Sequence, residues 1–175
     1  MKTKTSDILR ALFGTIIFWL LVIPVIYFLI PRHILSSPDL AYIFDAGIYR
    51  YLGLVPIALG AVLYIFCSGS FVFSGIGTPV PFTPTKKLIV TGFYRFVRNP
   101  LYIAGFFVLT GLGILFQSAG ILFFGLVMFV MFHLTVLLEE AFLEGKFGES
   151  YKQYCKSVPR WIPRLKPYNA NSTEA

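Results

Sequence analysis

Charge is scarce in this sequence. Only 13% of its 175 residues are Asp, Glu, Lys or Arg, while 57% are hydrophobic, and the mean hydropathy is +0.76. A soluble domain carries about twice that charged share. A water-soluble fold of this length cannot hide so much apolar surface, so lipid is the expected solvent for much of it. Cysteine is scarcer still: Cys67 and Cys155 are the two present. One lies in an apolar run and the other in a basic tail, which excludes a disulfide framework and gives no metal-ligand spacing. Two free thiols are the expectation. Acidic residues number 8 against 15 basic ones. The basic residues cluster between long uncharged runs instead of lining a polar surface, so the charge reads as membrane topology, with attraction to anionic headgroups, and no nucleic-acid partner is expected.

The uncharged runs define the elements. About 20 apolar residues span a hydrocarbon core as a helix. The run Ala11–Pro31 has 21 residues, longer than a signal-peptide core, so a retained first span is expected over 11–30, closed by Pro31. Tyr51–Thr85 runs for 35 residues. Its first part predicts a second span over 51–73. Pro79, Pro81 and Pro84 then forbid a helix, and 74–100 is expected as a loop. Asn99–Leu138 runs for 40 residues, about twice what one crossing needs. Its one polar break, Gln117-Ser118, predicts a tight hairpin of spans 101–116 and 120–138. A polar C-terminal segment, 139–168, follows as a helical extension and a short helix near 149–156. Trp161 and Tyr168 are its expected interfacial anchors, and 169–175 is expected as a disordered tail. Residues 1–175 thus form one all-α integral membrane domain. No internal repeat is visible.

Thirteen of the fifteen basic residues fall before the first span, between the second and third, or after the fourth. Positive charge stays on the cytoplasmic side. Four spans with both ends cytoplasmic satisfy every segment, and a bacterial inner membrane suits this design.

Candidate chemistry gathers on that same side. Glu139 and Glu140 end the longest uncharged run, and a boundary carboxylate is costly to keep there. Structural ion pairing with Arg95 or Arg98 would also account for them. His133 lies within the fourth span, where an interhelical hydrogen bond is the simpler role. Asn99-Pro100 reads as an N-cap followed by the first helical residue. Two tyrosines and two arginines around that same helix start ask for more than capping.

Lys87-Leu88-Ile89-Val90-Thr91-Gly92-Phe93-Tyr94-Arg95-Phe96-Val97-Arg98-Asn99-Pro100-Leu101-Tyr102 resembles the signature of the isoprenylcysteine carboxyl methyltransferase and phospholipid methyltransferase superfamily. Glu139-Glu140, Phe147-Gly148-Glu149-Ser150-Tyr151 and Val158-Pro159-Arg160 continue it in order, and Gly77-Thr78-Pro79-x-Pro81-Phe82 resembles a bacterial branch. The resemblance covers about residues 75–165. It implies an S-adenosyl-L-methionine-dependent membrane methyltransferase acting on a lipophilic acceptor, with the cofactor in a cytoplasmic pocket closed by the C-terminal segment. Carried over by position, the cofactor contacts are Lys86, Lys87, Leu88, Ile89, Tyr94, Arg95, Asn99, Pro100, Leu101, Tyr102, Glu139 and Glu140. His133, Asn99 and Arg98 are the candidate catalytic residues. A glutamate can take the cofactor's ammonium or ribose diol, an arginine its carboxylate, and tyrosine faces its adenine or sulfonium.

Two positions depart from the family pattern. Asn99 stands where carboxyl-methylating members have histidine, and Thr135 where prenylcysteine-specific members have an arginine. Amine, thiol and carboxylate acceptors all stay open, and His133 is the candidate to assist a thiol, amine or other acceptor. A non-catalytic polytopic protein that retains the fold, as a scaffold or a transporter-associated subunit, is the competing reading.

Overall fold

The computed structural model describes residues 23–41, 43–70 and 88–169. Residues 11–22 of the expected first span, the proline loop with Lys86 and Lys87, and the tail beyond Asn169 lie outside them. Among the described residues the chain is all helical, and strand-like pairing is limited to one isolated bridge, Ile43 with Ser118.

The first helical stretch opens with a π-helical turn, Val25–Leu29, and continues as α1, Ile30–Ser36. Pro31 does not close it, contrary to the expectation. A proline inside a helix lacks one N–H, and its ring clashes with the carbonyl four residues back. The wider turn of Val25–Leu29 lies just ahead of it, and Pro31 sits in the first turn of α1, where its missing N–H costs little. A short helix α2, Pro38–Ala41, follows.

A 3₁₀ segment, Gly47–Gly53, leads into α3, Leu54–Ser70. The helix α4, Pro100–Leu115, packs along it. Small residues let the two backbones touch: a Cβ on Gly53 would stand 2.5 Å from the Gly111 carbonyl oxygen, and one on Gly60 would stand 2.6 Å from that of Ala104. Such contacts hold helices together where lipid tails are as apolar as the side chains.

The α4–α5 turn falls at the polar break. Gln117 adopts φ +56°, a left-handed conformation that few residues other than glycine take. Ser118 then caps α5, Ala119–Phe147, its Oγ accepting from the Ile121 N–H at 3.2 Å. The same hydroxyl donates to the Ala41 carbonyl at 2.6 Å, in a fully buried position. Phe44 N donates to the Gln117 carbonyl at 2.9 Å. The segment after α2 therefore locks the hairpin.

Gly47–Ser70 and Ala119–Phe147 are long and apolar enough to cross a membrane. Their outward residues, Ile65, Phe66, Phe123, Leu126 and Leu134 among them, are exposed. An apolar surface this continuous is foreign to a water-soluble monomer. With 29 residues, α5 extends about 43 Å, longer than a hydrocarbon core of about 30 Å. Gly148, at φ +55°, then reverses the chain into α6, Glu149–Ser157. Tyr151, Tyr154 and Val158 are buried on that turn against Leu88, Val90, Leu143 and Phe147.

Candidate functional site

Successive residues of an α-helix leave it about 100° apart, so Glu139 and Glu140 address different partners. Glu139 faces α4: its Oε1 accepts from the Tyr102 hydroxyl at 2.7 Å. Glu140 faces the C-terminal strap, Pro159–Asn169, and the start of α4. Arg160 forks onto it, Nε to Oε1 at 3.0 Å and Nη2 to Oε2 at 2.7 Å. Arg98 Nη1 lies 3.2 Å from Oε1. The same Nη1 donates to Cys155 Sγ at 2.6 Å. Arg98 Nε is buried without a partner.

The strap is bound to residues 95–99 along its length. Arg98 N donates to Pro159 O at 2.9 Å, Arg164 N to Phe96 O at 3.0 Å, and Tyr168 N to Arg95 O at 2.9 Å. Asn99 holds the N-cap position without a capping hydrogen bond. Its Nδ2 instead donates to Arg160 O at 3.2 Å, so the expected cap is a tether to the strap. Arg95 is likewise turned away from the glutamates: Nε donates to Tyr168 O at 2.8 Å and Nη2 to Asn169 Oδ1.

Leu88, Ile89, Tyr94, Arg98, Asn99, Glu139 and Glu140, all singled out in the sequence, wall one cavity with Leu143, Phe147, Tyr151 and Tyr154. Its volume is about 90 Å³. Tyr94 is buried in its wall, which pushes its hydroxyl pKa well above the ordinary value. Tyr154, whose hydroxyl donates to Tyr94 O at 2.7 Å, is raised by burial too, with the Arg98 charge opposing. Both stay neutral donors at physiological pH.

Pro100, Leu101 and Tyr102 form the first turn of α4 behind this cavity, with Leu101 packed on the Cys67–Ile89–Tyr94 cluster and Tyr102 supporting Glu139. His133 is not in the cavity wall. Its Nδ1 accepts from the Trp161 indole N–H at 3.1 Å, which places its own proton on Nε2 when neutral. Trp161 therefore docks on α5 rather than serving as a free interfacial anchor. Thr135 hydrogen-bonds back to Met131 O in its own helix at 2.9 Å.

Tyr154, Cys155 and the Arg160–Glu140 fork escaped the sequence reading. The spacing of Tyr151 and Tyr154, three apart on a short amphipathic helix, was the one available signal.

A second, larger cavity lies on the other side of residues 93–97. It holds about 520 Å³ and is lined by Leu63, Phe106, Phe107, Phe129, Trp161 and Pro163 among others. This is within the range of small-molecule sites, and its wall is almost wholly apolar.

Among the described residues the protein is helical, with membrane-length helices, a carboxylate–guanidinium cavity and an apolar cavity beside it, the features of a helical membrane protein. The phospholipid methyltransferase family matches residues 48–150, more than half of the chain, and the protein belongs to that family. It is 39% identical over 79 residues to protein-S-isoprenylcysteine O-methyltransferase of Schizosaccharomyces pombe, covering 45% of this chain and 34% of that one. It is 27% identical over 123 residues to the cobalt-zinc-cadmium resistance protein CzcN of Cupriavidus metallidurans, covering 70% of this chain and 52% of that one. The nickel-cobalt-cadmium resistance protein NccN of Alcaligenes xylosoxydans is 27% identical over 89 residues, 51% of this chain and 42% of its own. The chain thus spans a third to a half of these curated relatives.

Proposed function

We propose that the protein is an S-adenosyl-L-methionine-dependent methyltransferase of the membrane, acting on a lipophilic acceptor. One observation carries this reading: four segments separated in sequence, 88–89, 94–99, 139–140 and 147–154, converge on one cavity, and all bear residues of the family pattern or adjoin them.

The donor set fits the cofactor's chemistry. Arg98 Nε is an unused buried donor suited to a carboxylate, and no cation pairs with Glu139 among the described residues, leaving it for an ammonium or a ribose diol. Glu140 is already held by two guanidinium groups and serves the strap. At about 90 Å³ the cavity is smaller than a nucleoside cofactor needs, so binding widens it at the wall formed by Phe147, Tyr151 and Tyr154. Bound there, S-adenosyl-L-methionine supplies a methyl group already activated on a sulfonium, and the protein's work is alignment and exclusion of water. Asn99 orients the acceptor or cofactor but is no base near neutral pH. His133 supports the strap through Trp161 and acts on catalysis through position.

The apolar cavity beside residues 93–97 takes the acceptor's hydrocarbon part. The isoprenylcysteine methyltransferase name of one relative favours a lipid-modified acceptor. Four spans with both ends cytoplasmic, in a bacterial inner membrane, complete the reading: thirteen of the fifteen basic residues fall in the segments this arrangement puts on the cytoplasmic side, and none in the α4–α5 turn. Methyl transfer from radiolabelled cofactor into the lipid-extractable fraction tests the activity. Label entering that fraction with wild type and not with Glu139→Ala supports it. No transfer by folded protein across amine, thiol and carboxylate lipids contradicts it and favours a non-catalytic relative.

A further inference from the structure

Helix α5 provides a depth scale for the strap. Arg160 is bonded to Glu140, where α5 turns polar. The next residue, Trp161, reaches His133, and its ring lies 4.9 Å from that of Phe129. At about 1.5 Å per residue, His133 and Phe129 lie about 9 and 15 Å further than Glu139 along the helix toward its apolar N-terminal part. Pro163 lines the apolar cavity beside Phe106 and Phe129. The chain then climbs out, with Arg164 Nη1 donating to Ser157 O at 2.7 Å and its backbone N to Phe96 O.

This path is unusual for a polar strap, and its composition suits it. Non-helical backbone at membrane depth persists only where its polar groups find partners. Pro159 and Pro163 have no N–H to satisfy. Three of the strap's remaining polar groups are partnered: Arg160 O accepts from Asn99, Arg164 N donates to Phe96 O, and the Trp161 indole N–H is taken by His133. Two large apolar side chains face outward: Ile162 is 79% exposed and Leu165 99%. Arg160 and Arg164 flank Ile162, and Lys166 follows Leu165, the order expected of a short dip anchored at headgroup level.

We propose that Arg160–Lys166 is a membrane-dipping wedge whose partner is the bilayer itself. Ile162 contacts acyl chains, Leu165 sits at their edge, and Arg164 and Lys166 meet the headgroups. The inference rests on the spanning arrangement proposed above and is independent of the reaction. Because the same strap is bonded to residues 95–99 and to Glu140, the bilayer braces residues that wall the polar cavity.

The test uses the full chain in lipid nanodiscs, with Cys67→Ala and Cys155→Ser as background and an environment-sensitive fluorophore on a single new cysteine. Ile162→Cys and Leu165→Cys are the test sites, Leu126→Cys the mid-helix reference and Lys156→Cys the aqueous one. The expected result is quenching of Ile162→Cys by nitroxide lipids, as for Leu126→Cys, with quenching by aqueous iodide roughly fivefold weaker than at Lys156→Cys. Leu165→Cys is expected between the two references. If Leu126→Cys is lipid-protected while both strap sites behave like Lys156→Cys, the wedge is overturned and the spans stand. If Leu126→Cys is also aqueous, the spanning arrangement fails and the wedge with it.

Discussion

Glu139 and Glu140 are adjacent in the chain, yet one carboxylate accepts from the Tyr102 hydroxyl at 2.7 Å and the other is gripped by the Arg160 fork at 2.7 and 3.0 Å. Their roles separate by experiment. Glu140→Ala leaves Arg98 and Arg160 facing each other without a counter-charge. The pair is partly exposed, so the loss is expected at about 1–3 kcal/mol, below that of a fully buried network. Thermal unfolding in detergent and faster proteolysis within 159–169 read this out. Glu139→Gln keeps the Tyr102 contact and is expected to change stability by less than about 1 kcal/mol.

Arg98 does three things at once: it pairs with Glu140, donates to Cys155 and presents a free Nε. Lysine carries the charge without the planar fork. Arg98→Lys is therefore expected to preserve much of the stability while weakening cofactor binding about tenfold or more, roughly 1.4 kcal/mol or greater. Equal affinity in the lysine variant, measured by calorimetry, contradicts a direct contact.

The α3–α4 contact tolerates no added atom at Gly53 or Gly111, since each Cβ would come within 2.5 Å of the other's carbonyl oxygen. Gly111→Ala is expected to lower stability by about 1–3 kcal/mol, seen as a lower unfolding midpoint in detergent. Gly145→Ala, where a Cβ meets nothing within 4 Å, is the matched control and is expected to be neutral or slightly stabilising.

Tyr94 and Tyr154 are held neutral by burial, with pKa values raised above the usual 10.0. A phenol raised in the folded state retains its proton when the unfolded chain has lost it. Its contribution is fully present below about pH 10 and declines as pH rises toward the folded value. Stability is therefore expected to fall in alkali above about pH 10, with a smaller alkaline loss in Tyr154→Phe. Tyrosinate absorbance followed alongside helical circular dichroism checks both.

Much of this was legible in the sequence because it is local. Gln117-Ser118 is the only polar break in a 40-residue uncharged run, and the α4–α5 turn falls there. Apolar length alone marks Gly47–Ser70 and α5 as membrane-length helices. Seven of the residues that wall the polar cavity lie in short motifs that resemble those of a known family. The strap was not legible: pairing of Arg160 with Glu140, or Trp161 with His133, links residues 20 and 28 apart with no periodicity to betray it. Pro31 misled because a π-helical turn lies ahead of it, and Asn99 because its amide found Arg160 O in place of the helix N–H groups. Trp161 carries the composition of an interfacial anchor, and only its depth along α5 reveals its different use.

The most direct measurement is calorimetric titration of S-adenosyl-L-methionine into the full chain in lipid nanodiscs, with Glu139→Ala and Glu140→Ala alongside. The account predicts binding by wild type, loss of at least about tenfold in affinity for Glu139→Ala, equivalent to 1.4 kcal/mol, and a milder loss for Glu140→Ala accompanied by a loosened strap. Absence of binding by folded wild type, or undiminished affinity in Glu139→Ala, would contradict it.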